Sequence, residues 1–364
     1  MDLVKSSYRS EDVTILLKDI SGLITPLPTE EREKLNQSGI HYSEMLPLEY
    51  KPTEKYMEIY NEALETLSYK TANATAILAD KLYAKYGGNL VLVSLARAGT
   101  PIGILVKRFL KHKYHIEVPH YSISIIRGKG IDTNAMTYIV DKHGSYGIQF
   151  IDGWIGKGAI NGVLYEACES LKSSDLKFAD LDATLAVLSD PAFITELCGT
   201  HEDFLIPSAC LNSTVSGLIS RTFLRDDIIS PADFHGAVYY GELQAEDKSN
   251  EFIDTVSGYF DNIDYNYFNA TLIFNDTGRT GMNEVTEIAR DFGLSDISKI
   301  KPGVGETTRV LLRRVPYCVL VRSFSNIDNF PHIRRLCEEK NILIKEYPLK
   351  MYNVCGIIKN LSDV

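Results

Sequence analysis

Apolar positions at Ile59, Ala63, Leu67, Ala74, Leu78 and Leu82 follow helical spacing, with Thr71 as the one polar member of the stripe. They predict a helix over 55–86, ended by the glycines at 87–88. The next run, "NLVLVSL", is mostly apolar and of strand length; "ARAGTP" is its loop, and 102–112 returns to a helical pattern. "VPHYSISII" alternates as a strand and stops at "RGKGID", after which 133–143 reads as helix. "IQFI" is the following strand, "DGWIGKGAI" its loop and "NGVLYEACESL" the helix beyond; "ATLAVLSDP" gives another strand. Strand, glycine-bearing loop and helix in repeated order predict a mostly parallel sheet with helices on its faces.

Near residue 264 the pattern breaks, where "SGYFDNIDYNYFNA" is polar and aromatic without helical periodicity. Beyond it, "TLIFNDTGRTGMNEVTEIARDFGL" reads as strand, loop and helix. "KIKPGVGETTRVLLRRV", "CVLVRS", "PHIRRLCEEKNILIKEY" and "VCGIIKN" then read as loop and helix, strand, helix and strand, an α-β-α sandwich. Charge changes at the same place: residues 265–364 hold 14 Lys+Arg against 11 Asp+Glu, which leaves 24 against 37 for residues 1–264. The expected organisation is an N-terminal extension (1–39), an α/β domain (40–264) and a smaller domain (265–364). The start of the chain has scattered charges and no apolar block, and no later run approaches the length of a membrane span, so a cytoplasmic protein is expected. Six widely spaced cysteines with no C-x-x-C pair point to a reducing compartment and no zinc site.

Ligands of parallel sheets collect where loops and helix N-termini converge at the carboxyl ends of the strands. Candidate ligand-binding residues there are Ala98, Gly99 and Thr100 with Arg97; Arg127 and Lys129 on a second loop; and Gly153, Trp154, Ile155, Gly156, Lys157 and Gly158 on a third. Glycines let backbone N–H groups face an anion, the following helix adds its positive end, and Lys157 supplies a mobile counter-charge. Asp152, at a strand end, is placed for sugar hydroxyls or a divalent cation. Trp154, the sole tryptophan, either stacks on a base or packs on the neighbouring helix. Asn212, Ser213 and Thr214, in a hydroxyl-rich stretch after an expected apolar strand, offer further donors, with Arg221 and Arg225 beyond. Asp132 is read as a helix cap, and Asp233 and His235 as residues that close over the site.

"SLARAGTP", "RGKGID" and "FIDGWIGKGAI", in that order, resemble the loops of type I phosphoribosyltransferases that take pyrophosphate, cover the site and cradle a 5′-phosphate. Together with "DFLIPSACLNSTVSGLISRT" and "DDIISPADFHGA", they are similar to the phosphoribosyltransferase-like proteins of bacterial tellurite and stress-resistance gene clusters, often labelled cysteine protease StiP. The resemblance implies a type I phosphoribosyltransferase-like sheet and glycosyl transfer at the ribose anomeric carbon. Asp152 and Arg97 would be catalytic, Mg²⁺ the cofactor held at Asp152, and phosphoribosyl pyrophosphate or a related phosphosugar or nucleotide the partner. Where that family's loop has two adjacent acids, this chain has Asp152 followed by Gly153.

Residues 265–364 look like a Pelota-type RNA-binding domain, whose glycine-led loop stands here as "GVGETTR". The likeness implies RNA contact through Gly303, Glu306, Thr308, Arg309 and Arg313, with Lys299, Lys301 and Arg314 adding positive charge nearby. Two other readings stay open: a non-catalytic phosphosugar sensor coupled to RNA, and a cysteine protease. For the latter Cys210, within reach of His201 or His235, is preferred over Cys198, because "DPAFITELCGTH" reads as a helix from Pro191 ended by Gly199. Assembly as a homodimer is also open.

Overall fold

The structure, a computed structural model, describes residues 2–268, 280–313 and 316–358. The expected strand at "TLIF", most of the "DTGRTG" loop and Arg314 lie outside these residues. In chain order the first part comprises β1 (Thr14–Ile15), β2 (Lys18–Asp19), α1 (Thr29–Gln37), α2 (Glu54–Tyr86), β3 (Val91–Ala96), α3 (Gly99–Tyr114), β4 (His120–Ile126), β5 (Gly130–Ile131) and α4 (Thr133–His143). It continues with β6 (Ile148–Trp154), α5 (Ala159–Ser174), β7 (Ala186–Ser189), β8 (Cys198–Thr200), β9 (Gly236–Ala237) and α6 (Ser249–Ser257). The smaller unit holds α7 (Gly281–Asp291), β10 (Ile300–Pro302), α8 (Val304–Arg313), β11 (Pro316–Val321), α9 (Pro331–Glu339), β12 (Leu343–Glu346) and β13 (Val354–Ile358).

The protein is a mixed α/β fold with a mostly parallel central sheet and a smaller separate sheet. The central order is β1-β4-β3-β6-β7-β8, parallel throughout, with β5 antiparallel on β4. The chain goes from β3 to β4 on one side, then returns to place β6 on the other. The carboxyl ends of β3 and β6 therefore flank a switch point, where the helices on either side diverge and leave a crevice. Both β3 and β4 are buried along nearly all their length, as a strand covered on both faces must be. β1, in the segment expected to be an N-terminal extension, pairs with β4 at the edge of this sheet.

The smaller sheet runs β10-β13-β11-β12. β11 alternates cleanly: Cys318 and Leu320 join an apolar cluster with Val285 and Ile288 of α7. Val319 and Val321 face the opposite way, with Val304 and Leu311 of α8 and Ile333 and Leu336 of α9, in the same cluster as Leu78, Ile102 and Phe109 of the first domain. The two domains thus share one continuous core.

Polar contacts pin that junction. Asp203, only 7% exposed, accepts from Val304 N (2.8 Å) and from Asn353 N (2.9 Å), while its carbonyl accepts from Asn353 Nδ2 (3.0 Å). Gly303, at φ +90°, turns the chain so that the first amide of α8 points at this carboxylate. Tyr352 Oη donates to Gly156 O (2.5 Å), and Tyr56 Oη donates to Leu312 O.

Two expectations need correction here. Residues 191–197 form no helix but a loop that leads into β8, and Gly199 is a packing glycine: a Cβ there would lie 2.3 Å from Ala74 O of α2. Residues 203–206 form no strand, and the stretch after them winds through two short 3₁₀ turns, Pro207–Cys210 and Ser213–Val215.

Replacing Asp203 with Ala strands two buried amides, each worth about 1–3 kcal/mol. Asp203→Ala is expected to lower stability and to split one calorimetric unfolding transition into two as the domains uncouple. A single transition at the wild-type temperature would count against this role.

Candidate functional site

The carboxyl ends of β3 and β6 and the face of α8 enclose a cleft between the domains. Asp152 leaves β6 with Oδ1 accepting from Gly153 N (2.8 Å). Burial pushes its carboxyl up to about 6, against the pull of the Gly153 amide and Arg309. Trp154 packs against Gly305 and lies under the Arg309 guanidinium, 5.6 Å from the ring centroid, so in this structure it packs on the neighbouring helix. Arg97 reaches across to donate to Ile219 O (2.8 Å). Ala98, Arg127, Gly156, Lys157 and Gly158 line the lobe that runs toward β10, and Asn212 and Thr214 line the wider lobe.

Other expected site residues are spent on structure. Lys157 donates to Ile297 O (2.6 Å) and Ile300 O (3.0 Å), which fastens the loop to the second domain and takes away its freedom as a counter-charge. Gly99 opens α3 against the backbone of Ile151 and Asp152, Thr100 is buried against Ser122 Oγ (2.7 Å), and Ile155 is core. Lys129 sits 3.9 Å from Glu44, and Ser213 bonds Glu49 through both its amide and its hydroxyl. Asp132 does cap α4, through Ala135 N (3.0 Å). Asp233 is paired with Lys18 and His235 with Ser124 Oγ (2.8 Å), so neither closes over the cleft. Arg225 is held by Asp227. Among the described residues no three His, Cys, Asp or Glu side chains converge as metal ligands, and Asp152 faces an arginine; the donors do not fit a Mg²⁺ site there.

On the second domain, the α8 N-terminus is already filled by the Asp203 carboxylate. Thr308 is buried between Val304 O (2.7 Å) and His332 Nε2 (3.0 Å). Glu306, Arg309 and Arg313 face the cleft between the domains. Of the residues expected to meet RNA, Glu306, Arg309 and Arg313 are therefore turned toward the first domain, and Thr308 is buried within the second.

A second constellation lies at the end of β8. Cys198 Sγ is 3.6 Å from His201 Nε2, and His201 Nδ1 is 2.7 Å from Asp190 O and 3.8 Å from Asp190 Oδ2. With Nδ1–H donated to the Asp190 carbonyl, Nε2 is left as the acceptor, 3.6 Å from a sulfur that also stands 3.9 Å from Nδ1. Phe193, at φ +53°, stacks on the imidazole with centroids 4.1 Å apart. Asp190 Oδ2 takes the amides of Ile194 (2.6 Å) and Thr195 (2.7 Å), which fixes the loop beside the sulfur. Burial raises the Cys198 thiol to about 12 and also raises the Asp190 carboxyl. Cys210, preferred from the sequence, is wholly buried under α8, its thiol likewise at about 12, with no histidine bonded to it. Among the described residues Cys198 is the one cysteine with a histidine in hydrogen-bonding range. The C-x-x-H spacing of "CGTH" carried the signal, hidden by reading Gly199 as a helix stop.

The Asp152 shift has a sign that can be measured. A carboxyl raised above its unfolded value near 3.8 favours the folded state most fully below about pH 4, and that contribution is lost as pH rises to about 6. Asp152→Asn is expected to match wild type at pH 4 and to exceed it by about 1–3 kcal/mol at pH 7, as denaturant titrations would show. Equal stability at both pH values would refute the burial cost.

The family model described as "Tellurite-like stress resistance cysteine protease StiP" matches residues 6–257, and that of the "PELOTA RNA binding domain" matches 279–360. The curated protein "Cysteine protease StiP" of Acinetobacter baylyi is 35% identical over 336 residues, covering 88% of this chain and 85% of its own length. No solved structure matches. These findings overturn the expectation of a glycosyltransferase using phosphoribosyl pyrophosphate, because the relative and the family are named for proteolysis. The chain belongs to the StiP family of tellurite-like stress-resistance proteins, and its residues 279–360 are similar to the Pelota RNA binding domain.

Proposed function

We propose that this protein is a cysteine-dependent peptidase in which Cys198 is the nucleophile, His201 the general base and Asp190 the group that orients the imidazole. The observation that carries the reading is the Cys198 Sγ to His201 Nε2 contact of 3.6 Å in a chain related to a protein named cysteine protease. His201 Nε2 takes the thiol proton as sulfur adds to the scissile carbonyl. The proton then passes to the leaving amine as the C–N bond breaks, and water releases the acyl group from sulfur.

In the conformation described here the nucleophile is dormant. Cys198 is 1% exposed, and a thiol raised to about 12 is protonated at neutral pH. The loop beside it is held from the second domain by Gly281 N donating to Ala192 O (2.9 Å). Turnover on this reading requires that loop to lift, so the second domain acts as a restraint on the first.

RNA is the partner proposed for residues 279–360, supported by the domain match. Because Asp203 holds the start of α8, a phosphate reaches those amides only by displacing that carboxylate.

Cleavage of an unstructured protein such as casein tests the first reading: Cys198→Ala should lose about 100-fold or more in rate, and Cys210→Ala should keep it. A wild-type protein that neither cleaves nor takes up iodoacetamide at Cys198 would sink it. For the second, gel shifts with structured RNA should show Asp203→Ala binding about tenfold more tightly than wild type, a gain of about 1.4 kcal/mol. Equal affinities would reject the displacement.

A further inference from the structure

The wider lobe of the interdomain cleft, about 760 Å³, draws its walls from both domains. Its charged lining is unbalanced: Arg32, Lys51, Arg97, Arg221, Arg309 and Arg313 stand against Glu49 and Asp152. Each acid also takes a hydrogen bond from a neutral donor, Glu49 from Ser213 and Asp152 from the Gly153 amide, while Glu49 acts on Arg313 and Asp152 on Arg309. Lys51 is paired with Glu246.

Among the described residues three of these arginines, Arg97, Arg221 and Arg313, form no ion pair, and a fourth, Arg309, has only a long one. Arg313 makes no hydrogen bond or ion pair among the described residues, although its side chain opens on the cleft. Arg97 is bonded only to a carbonyl. Arg221 spends Nη2 on the carbonyls of Tyr42 (2.5 Å) and Met45 (3.2 Å), while its buried Nε has no acceptor. Arg309 lies over Trp154 and is 3.9 Å from Glu306. Arg313 is lowered to about 9, first by desolvation and then by Arg309 and Arg97, with Glu49 pulling the other way; Arg221 is lowered to about 10, first by burial and then by Arg32 and Arg97. These cations repel one another across a partly desolvated space, an arrangement that an acidic ligand would relieve. The floor is apolar, formed by Leu95, Ile125, Ile160 and Leu211.

We infer that this cleft binds a small molecule bearing two or more acidic groups, phosphate or carboxylate, gripped by Arg97 and Arg221 from the first domain and Arg309 and Arg313 from the second. The volume suits a compact ligand of metabolite size and is too small for a folded RNA. Guanidinium groups favour planar, bidentate pairing with either oxyanion, so the arginines fix the charge class and leave the skeleton open. A ligand held from both sides also ties the domains together. The inference is independent of Cys198 and of peptide cleavage.

Calorimetry on the full chain tests it, with tripolyphosphate as the phosphate probe, citrate as the carboxylate probe and glycerol as the neutral control. Wild type is expected to gain roughly 3–5 °C in Tm with a bound probe at about a hundred times its Kd, and nothing with glycerol. Arg313→Gln should leave the ligand-free protein as stable or more so, because a repelling charge is gone, and should cut probe affinity at least tenfold. Arg97→Gln supplies the same readout from the opposite wall, should one variant fold poorly. A response to tripolyphosphate alone assigns a phosphate ligand, and one to citrate alone a carboxylate. No response to either probe at millimolar concentration overturns the proposal, as does an Arg313→Gln protein that is destabilised yet binds both probes like wild type.

Discussion

Asp203 joins two parts of the chain that otherwise have separate sheets. Its carboxylate takes the first amide of α8 on one oxygen and the Asn353 amide on the other, in a site almost closed to water. Burial raises this carboxyl to about 6, opposed by those two amides, so the contact persists because the surrounding apolar core is already formed. Val304 and Leu311 could not share a cluster with Leu78 and Phe109 if α8 were not seated in this way. The cleft, its arginine walls and the restraint on the loop beside Cys198 all follow from that docking.

The same docking decides what the second domain offers. A helix start with free amides is a site for phosphate, but here the first domain supplies the anion. Arg309 and Arg313, which in sequence look like a basic face for RNA backbone, are directed inward and line the interdomain cleft.

Much of the architecture could be read from periodicity. The α2 stripe, the strands at "NLVLVSL" and "IQFI", and the α-β-α order of the last part are local patterns, and local patterns survive without tertiary knowledge. The site was less legible. Glycine-bearing loops were correctly located at the strand ends, yet Lys157 turned out to serve a domain contact and Thr100 to serve the core. The bond from Asp203 to Val304 spans 101 positions and leaves no trace in either neighbourhood. Cys198 and His201 are only three residues apart, but Gly199 between them has two physical uses, ending a helix or admitting a close backbone approach, and the strand packed on Ala74 selects the second. The glycosyltransferase expectation came from the order and glycines of three loops, and a likeness of loops does not fix the chemistry.

α2 is one unbroken helix of 33 residues, about 50 Å long at the usual rise. Near its start Tyr56 is bonded to the carbonyl of Leu312, beside the arginine cleft; near its end Lys81 Nζ holds the carbonyls of Glu196 (2.9 Å) and Cys198 (2.8 Å). Its middle, residues 71–79, is buried on nearly every side, which leaves little room for bending there. One continuous helix thus reaches from the arginine cleft to the backbone that carries the thiol.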